Sequence, residues 1–327
     1  MAIIRWGIIG CGSVTETKSG PGFQKAQNSA LMAVMRRAGQ LAKDYAQRHN
    51  VPHWYDTPEA LINDPQVDAI YIATPPSSHK EYTLLAAAAG KPVYVEKPMA
   101  LNHAECLEML EACQSAKTPL FVAYYRRALA RFLKIKELIE AGAVGAVRFV
   151  TINLHMSPRP DEADPDKLPW RVCPEIAGGG RFVDLASHQL DFLDFLFGPI
   201  KRVYGLAANQ AGFYPAEDMV SGIFEFASGV QGMGTWCFSA FNELDYTEIV
   251  GTNGKITFSS FDDQPIELTN SAGARQFNIY NPQHVQQPLI QLVVNTLTGA
   301  GECPSTGQSA ARTSWVMDQI LREYYHS

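Results

Sequence analysis

The first dozen residues do most to limit what this chain can fold into. Ile3-Ile4-Arg5-Trp6-Gly7-Ile8-Ile9 reads as a buried strand, and Gly10-Cys11-Gly12 follows it at once. A strand that ends in Gly-x-Gly supplies the tight turn and close backbone approach that a dinucleotide pyrophosphate needs. Alone, the pattern is often only a turn. Here its third small residue is replaced by Thr15, and Ser13 to Phe23 is polar and broken by Gly20-Pro21-Gly22. The helix after the strand is therefore expected to start late or irregularly. The contacts to a nucleotide are expected from Gly10, Cys11, Gly12, Ser13 and Val14.

The next strand, Leu31-Met32-Ala33-Val34-Met35, ends where such a fold reads the ribose, roughly 20 residues past the glycines. Arg36-Arg37 stands there instead of Asp or Glu. A carboxylate would accept the 2′-hydroxyl of NAD and repel a 2′-phosphate, whereas guanidinium groups offer forked donors to the phosphate of NADP. NADP(H) is the preferred expectation. NAD(H) stays open, because an arginine can also stack on the adenine, and two solvated arginines at a helix start remain the plainer alternative.

Strands and helices alternate through the first 120 residues. Gln40 to Arg48 reads as a helix, His53-Trp54-Tyr55 as a short strand, and Thr57-Pro58-Glu59 as a capped helix start. Val67 to Ala73 is a strand, Lys80 to Ala89 a helix closed by Gly90, Val93 to Val95 a strand, His103 to Ala116 a helix and Leu120 to Tyr124 a strand. This order means a doubly wound parallel sheet, an α/β Rossmann domain. Beyond Tyr125, a helix over Phe132 to Ala141 gives way to β-like runs at Ala146 to Met156, Val203 to Ala208, Met219 to Phe226, Val230 to Phe238, Tyr246 to Gly251, Lys255 to Phe258 and Pro265 to Leu268. Phe224 to Phe226 and Val230 to Phe238 read as a hairpin through Ala227-Ser228-Gly229. Many strands with few helices predict an α+β domain on a large, mainly antiparallel open sheet. The expected division is 1–124 for nucleotide binding and 125–327 for substrate binding and oligomerisation, with a helical tail from Ser309 to Tyr325 that can return to the first domain.

Two further segments carry chemistry. Val93-Tyr94-Val95-Glu96-Lys97-Pro98 ends a strand with a lysine at the edge where open parallel sheets bind ligands, and Pro98 turns the chain away. Gly178-Gly179-Gly180 leads into a helix of about four turns ending at Gly198, with Asp184, His188 and Asp191 at i, i+4 and i+7 on one face. Leu185, Phe192, Leu193 and Leu196 can supply its buried side. A histidine bracketed by carboxylates is oriented and its cation favoured, which suits proton exchange with an alcohol or carbonyl. The competing interpretation is a structural helix start, with Asp184 on the dipole and His188 on the surface. No glutamate or histidine pattern completes a zinc site there, so no metal is expected.

At 327 residues the chain exceeds what one core serves, and a hydrophobic content of 46% supports two. Lys+Arg 27 against Asp+Glu 33 leaves a net charge of −6, which argues against nucleic acid or an anionic membrane as partner. The cysteines, Cys11, Cys106, Cys113, Cys173, Cys237 and Cys303, are scattered without Cys-x-x-Cys spacing and look like free thiols. A first strand starting at residue 3 leaves no room for a signal peptide, and no apolar run approaches membrane-spanning length. A cytoplasmic protein is expected.

In order along the chain, these segments resemble the Gfo/Idh/MocA family of NAD(P)-dependent oxidoreductases. The resemblance rests on Gly7-Ile8-Ile9-Gly10-Cys11-Gly12, on Ala73-Thr74-Pro75-Pro76-Ser77-Ser78-His79, on Ala89 to Pro98, on Tyr124-Tyr125-Arg126-Arg127, and on Trp170-Arg171 followed by Gly178-Gly179-Gly180 and Asp184 to His188. Thr15 and Ala186, which replaces a frequent glycine, depart from the family pattern. The resemblance implies a second cofactor loop at Thr74, Pro75, Pro76 and His79, with Glu96 fixing the cofactor. It implies that Lys97 hydrogen-bonds the reacting oxygen, that His188 is the general acid/base, and that Asp184 orients His188 or a substrate hydroxyl. Tyr125 and Arg171 are pocket candidates beside Lys97, Asp184 and His188. Sugars, polyols and related cyclic hydroxy-compounds are the implied substrates, and a homodimer or homotetramer the implied assembly. A cofactor-binding sensor on the same fold, and a lyase or hydrolase using retained NAD(P) for transient oxidation, stand as the alternatives.

Overall fold

The structure is a computed structural model and describes residues 2–162 and 164–325. Among these residues the strands form two sheets. The first contains β1 (Ile4–Ile9), β2 (Ser29–Met35), β3 (His53–Tyr55), β4 (Ala69–Ile72), β5 (Val93–Val95) and β6 (Leu120–Val122), in the order β3-β2-β1-β4-β5-β6. Every neighbouring pair is parallel. This is the doubly wound sheet expected, with its order reversing at β1/β4.

Its strands are apolar without interruption because both faces are covered. Successive side chains point to opposite faces, and the burial follows that rule. Trp6, Ile8, Tyr71 and Tyr94 join Phe23 and Tyr45 in one core, while Ile9, Ile70, Ile72, Val93 and Val95 join Met109 and Leu61 in the other. The helix Gln287–Leu297 was not anticipated from sequence. It buries Leu289, Ile290, Val293 and Val294 in the first of these cores. The chain accordingly packs as two compact units: residues up to Ala128 together with Pro282–Ala311, and Leu129–Asn281 together with the residues from Arg312 onward.

The second sheet contains β7 (Val147–His155), β8 (Ile200–Ala208), β9 (Met219–Phe226), β10 (Gln231–Cys237), β11 (Leu244–Gly251), β12 (Gly254–Phe258), β13 (Ile266–Asn270) and β14 (Gly273–Phe277). Its order is β14-β13-β12-β11-β7-β10-β9-β8. Only the β10/β7 pair is parallel; the other neighbours are antiparallel. The expected hairpin is present: Gly229 takes φ +88° and the Phe226 N–H donates to the Val230 carbonyl at 2.9 Å. In β9, Val220, Phe224 and Phe226 are buried while Ile223 is exposed, so the sheet has one covered and one open face.

The covered face carries the helix Arg181–Phe197. Phe182 packs edge-on to Trp236 at 5.0 Å, Phe192 to Phe258 at 5.9 Å and Phe197 to Phe226 at 5.3 Å. Gly198 ends the helix at φ +81°, as expected of a C-terminal glycine. One smaller expectation is corrected. Thr57 precedes the helix Pro58–Ile62, but its side chain makes no capping hydrogen bond, so Pro58 alone marks that start.

Candidate active site

At the edge of the first sheet, Gly10 takes φ +92°, and a Cβ there would lie 2.7 Å from the Thr74 methyl and 3.0 Å from the Thr74 nitrogen. The loops after β1 and β4 therefore touch, and only glycine fits at their contact. A Cβ on Gly12 would meet nothing nearer than the Gly10 oxygen at 3.9 Å, so that position is open above the loop. Gly10 and Cys11 donate their backbone N–H groups to the Met35 carbonyl at 2.9 and 3.2 Å, which ties the turn to the end of β2.

The polar stretch after Gly12 folds as two short helices, Ser13–Thr17 and Gly20–Lys25. Thr15 is fully buried and turns its hydroxyl back onto the Gly12 carbonyl at 2.8 Å. Its own carbonyl accepts from the Tyr45 hydroxyl at 2.8 Å. Threonine thus braces the turn from below where the commoner pattern carries a small residue. Ser13 and Val14 open this helix, ahead of Thr15 and Glu16, whose N–H groups donate to the Gly12 carbonyl at 3.0 and 3.3 Å. Cys11 is buried, and burial pushes its thiol up to about 11, so it is packing rather than a nucleophile. Arg36 and Arg37 are exposed directly after β2. An open glycine turn, helical N–H groups and two guanidinium groups at the carboxyl edge of a parallel sheet fit a dinucleotide.

In the second loop, Pro76–Ser78 is a 3₁₀ turn, and the Ser78 hydroxyl donates to Thr74 Oγ1 at 2.8 Å. Pro75 leads into it in extended backbone. His79 is fully buried. Its Nε2 lies 2.7 Å from the Thr74 carbonyl oxygen and its Nδ1 3.0 Å from that of Pro98. Burial lowers its pKa, against the pull of those carbonyls. The ring therefore couples the second loop to the segment that follows Lys97.

Lys97 is half-buried at the end of β5, and its peptide bond to Pro98 is cis. The carboxylate before it is not free for solvent. Glu96 is 7% exposed and accepts from the Tyr71 hydroxyl at 2.5 Å, from Gln286 Nε2 at 2.6 Å and from the Lys97 backbone N–H at 3.2 Å. Tyr125 is half-buried at the start of the 3₁₀ turn Tyr125–Ala128, and Arg126 lies over its ring at 5.2 Å.

In the second unit, His188 is only 3% exposed, which removes the surface alternative for that ring. The helix around it is buried on nearly every side, Asp191 included, while Asp184 stays half-buried one turn before His188. Arg171, on the 3₁₀ turn Trp170–Val172, lies over the Trp170 ring at 4.4 Å and brings Nε to 3.4 Å from Asp184 Oδ2. The expected helix-face residues separate in role. Phe192 and Leu193 enter the core, whereas Leu185 and Leu196 are half-buried. Ala186 is fully buried among packed groups. Among the described residues no cluster of His, Cys, Asp or Glu is arranged to hold a metal.

Residues 4–124 match the oxidoreductase family with an NAD-binding Rossmann fold, and residues 132–257 match the GFO/IDH/MocA C-terminal domain. The chain belongs to the Gfo/Idh/MocA family. It is therefore an NAD(P)-dependent oxidoreductase.

A relative from Formosa agariphila, named oxidoreductase P35, is 40% identical over 96% of this chain and 97% of its own. The trans-1,2-dihydrobenzene-1,2-diol dehydrogenase of Mus musculus is 30% identical over 84% of this chain and 80% of its own. Among solved structures, the aldose-aldose oxidoreductase of Caulobacter crescentus superposes with a TM-score of 0.85 at 24% identity, covering 98% of this chain and 97% of that one, which establishes a shared fold.

Several supporting residues of this Gfo/Idh/MocA enzyme were not read from its sequence. Glu217 Oε1 accepts the Gly180 N–H at 2.8 Å and so caps the helix of His188. Trp236 Nε1 donates to Gln189 Oε1 at 2.8 Å, and Arg312 grips Asp194 at 2.7 and 2.8 Å. Gln286 reaches Glu96 across 190 residues of sequence. None of these has a local signal, because each partner lies on a distant element.

Proposed function

We propose that this enzyme is an NADP-preferring oxidoreductase acting on a CH–OH or C=O group of a sugar, a polyol or a cyclic alcohol. When bound, the cofactor supplies the hydride chemistry at nicotinamide C4, and the protein contributes binding, orientation and charge. Gly10, Cys11, Gly12, Ser13 and Val14 hold the pyrophosphate. Thr74, Pro75, Pro76 and His79 shape the second cofactor loop, and Glu96 holds the Lys97 backbone.

Lys97 hydrogen-bonds the reacting oxygen, where negative charge grows as a carbonyl is reduced or an alcohol proton leaves. His188 exchanges that proton, and Asp184 orients a substrate hydroxyl or the His188 ring. Arg171, held by Asp184 and Trp170, and Tyr125 line the substrate site. The observation that carries this reading is His188 itself: a buried imidazole on a helix fixed at both ends, one turn from a carboxylate that remains partly open. The named relatives, acting on a diol and on aldoses, support the substrate class.

The NADP preference rests on Arg36 and Arg37, exposed at the ribose position with no carboxylate beside them in sequence. A cytoplasmic setting is supported by six free cysteines. Among the described residues no helix is long and apolar enough to cross a membrane. A homodimer or homotetramer assembles through the open face of the second sheet in this reading.

Side-by-side equilibrium titration with NADPH and NADH, repeated on Arg36→Asp, tests the cofactor assignment. Tighter NADPH binding that the substitution erases is the expected result. Equal affinities would remove the 2′-phosphate assignment. A sugar and polyol screen with NADP(H) then tests the substrate class.

A further inference from the structure

The segment Ser259 to Gln264 lies between β12 and β13 and has no regular secondary structure. Two charges of opposite sign hold it instead, one buried and one half-buried. Asp245, on β11, accepts the backbone N–H groups of Ser260 at 3.0 Å, Phe261 at 2.5 Å and Asp262 at 3.3 Å. Arg131, 2% exposed on the helix Ala130–Glu140, donates to the carbonyls of Asp262 at 2.6 Å, Gln264 at 2.9 Å and Ser259 at 3.3 Å. The Ser259 hydroxyl adds a bond to the Asp262 carbonyl at 2.8 Å.

Buried charges are costly unless fully paired and hydrogen-bonded. Here both are met by groups of one short loop, the anion by its N–H groups and the cation by its carbonyls together with the Asp263 carboxylate at 3.5 Å. Burial still raises the Asp245 pKa, with the three N–H groups pulling against it. Connecting loops are ordinarily the mobile parts of a fold. This one has almost no freedom left.

What the loop carries is Phe261. Its ring stands 6.2 Å from the His188 imidazole with the planes at 72°, an edge-to-face pair. Phe261 is half-buried, flanked by Ser259, Ser260, Asp262 and Asp263. Core burial therefore does not account for a scaffold this elaborate. The ring it presents to the His188 imidazole gives that scaffold a use.

We propose that Phe261 is a positioning residue for His188, with Asp245 and Arg131 acting through it by fixing the loop. This rests on the acid–base role of His188 proposed above. The terminal torsion of a histidine is broad, and a neighbouring ring set by its own rigid support narrows it to the orientation that meets the reacting oxygen.

The test combines kinetics with a signal from the ring itself. Protein labelled at histidine Cε1 is examined by NMR, and His188→Gln assigns the His188 resonance among the eight histidines. Phe261→Leu removes the aromatic ring without touching the loop's hydrogen bonds. It is expected to move the His188 resonance and to lower kcat roughly tenfold, because small misplacements of a reacting group cost that much or more. KM for the nicotinamide cofactor should stay constant, and Phe261→Tyr should recover most of the rate. Asp245→Ala should move the same resonance in the same direction; if it fails to fold, Phe261→Leu decides alone. A His188 resonance unmoved in Phe261→Leu, or a kcat within twofold of wild type despite a moved resonance, overturns the proposal. Full turnover in His188→Gln would overturn the acid–base role and the positioning together, whereas an inactive His188→Gln with an unmoved resonance overturns the positioning only.

Discussion

The Glu217 carboxylate accepts the Gly180 backbone N–H at 2.8 Å, at the first turn of the helix that carries Asp184 and His188. Its other oxygen accepts the Tyr325 hydroxyl at 2.6 Å. Burial raises this carboxyl from an ordinary 4.5 to about 7, against the hydrogen bonds of Tyr325 and Gly180, and the nearby Asp218 pushes it further up. The folded protein therefore holds a proton that the unfolded chain has already released. The stability linked to that proton is full below about pH 4.5 and is lost as pH rises to about 7. The whole effect amounts to roughly 3 kcal/mol. Urea unfolding at pH 5 and pH 8 should show wild type losing stability that Glu217→Gln does not lose. Equal slopes in the two proteins would sink the assignment.

The catalytic set makes a separate prediction. Lys97→Ala and His188→Ala should each lower turnover by orders of magnitude while NADPH binding largely survives. A general acid or base is worth about 10² to 10⁴ in rate, and a positioned donor to the reacting oxygen about as much. Steady-state rates and NADPH titration on the same preparations decide it. A near-normal rate in either variant would remove that residue's role.

Gln286 supports Lys97 at one remove. It donates to Glu96 at 2.6 Å, and Glu96 in turn accepts from the Lys97 backbone. Gln286→Leu leaves Glu96 buried with one partner fewer, which should cost about 1 to 3 kcal/mol of stability. If Glu96 fixes Lys97, kcat falls as well while NADPH affinity changes little. Thermal unfolding together with kcat separates a purely structural effect from a positioning one.

How far the molecule was legible depends on where each partner lies. The parallel sheet could be read because its strands, such as Val93–Val95, are continuous apolar runs bounded by turn residues. The helix of His188 was legible from its triple glycine and Gly198; the spacing of Asp184 and His188 suited proton exchange, and their individual roles came from the family resemblance. The burial of His188 was not, because a helix packed on nearly every side looks locally like one with a polar face. β14, Gly273–Phe277, was missed since it is an edge strand with almost every residue exposed and no alternation. The helix Gln287–Leu297 was missed although it is strongly apolar, and its return to the first unit has no signature in nearby sequence. Gln286, Glu217 and Asp245 all act on backbone or side chains far along the chain, and such pairings are visible only once the fold is built.

The two glycines of the first turn should respond differently to alanine. At Gly10, φ +92° strains any side chain, and the added Cβ would collide with Thr74 at 2.7 Å. Gly10→Ala should therefore lose about 1 to 3 kcal/mol of stability and NADPH binding with it. At Gly12 the backbone is ordinary for any residue, and a Cβ has room in the protein itself. Gly12→Ala should melt close to wild type yet bind NADPH weakly, because the methyl group would enter the space proposed for the pyrophosphate. Thermal unfolding and nucleotide titration on both variants test the pair. Tight binding in a stable Gly12→Ala would place the pyrophosphate elsewhere.

The open face of the second sheet carries the last prediction. Tyr204, Ile223 and Met233 stand directly opposite one another on β8, β9 and β10, and each is more than half exposed. Leu206, at 69%, extends the patch along β8. Burial of these side chains is the main force available for association, and an apolar patch of this kind marks an interaction surface more often than a solvated one. Lys201 and Arg202, paired with Glu225, form a charged border beside it, as interface rims usually do. Wild type should sediment as a multiple of 36.0 kDa. Ile223→Glu should shift it to the monomer, since each dimer contact would bury an unpaired carboxylate. The folded monomer should survive, because Ile223 adds nothing to the covered core. A monomeric wild type, or an Ile223→Glu protein that still assembles, would exclude this face as the contact.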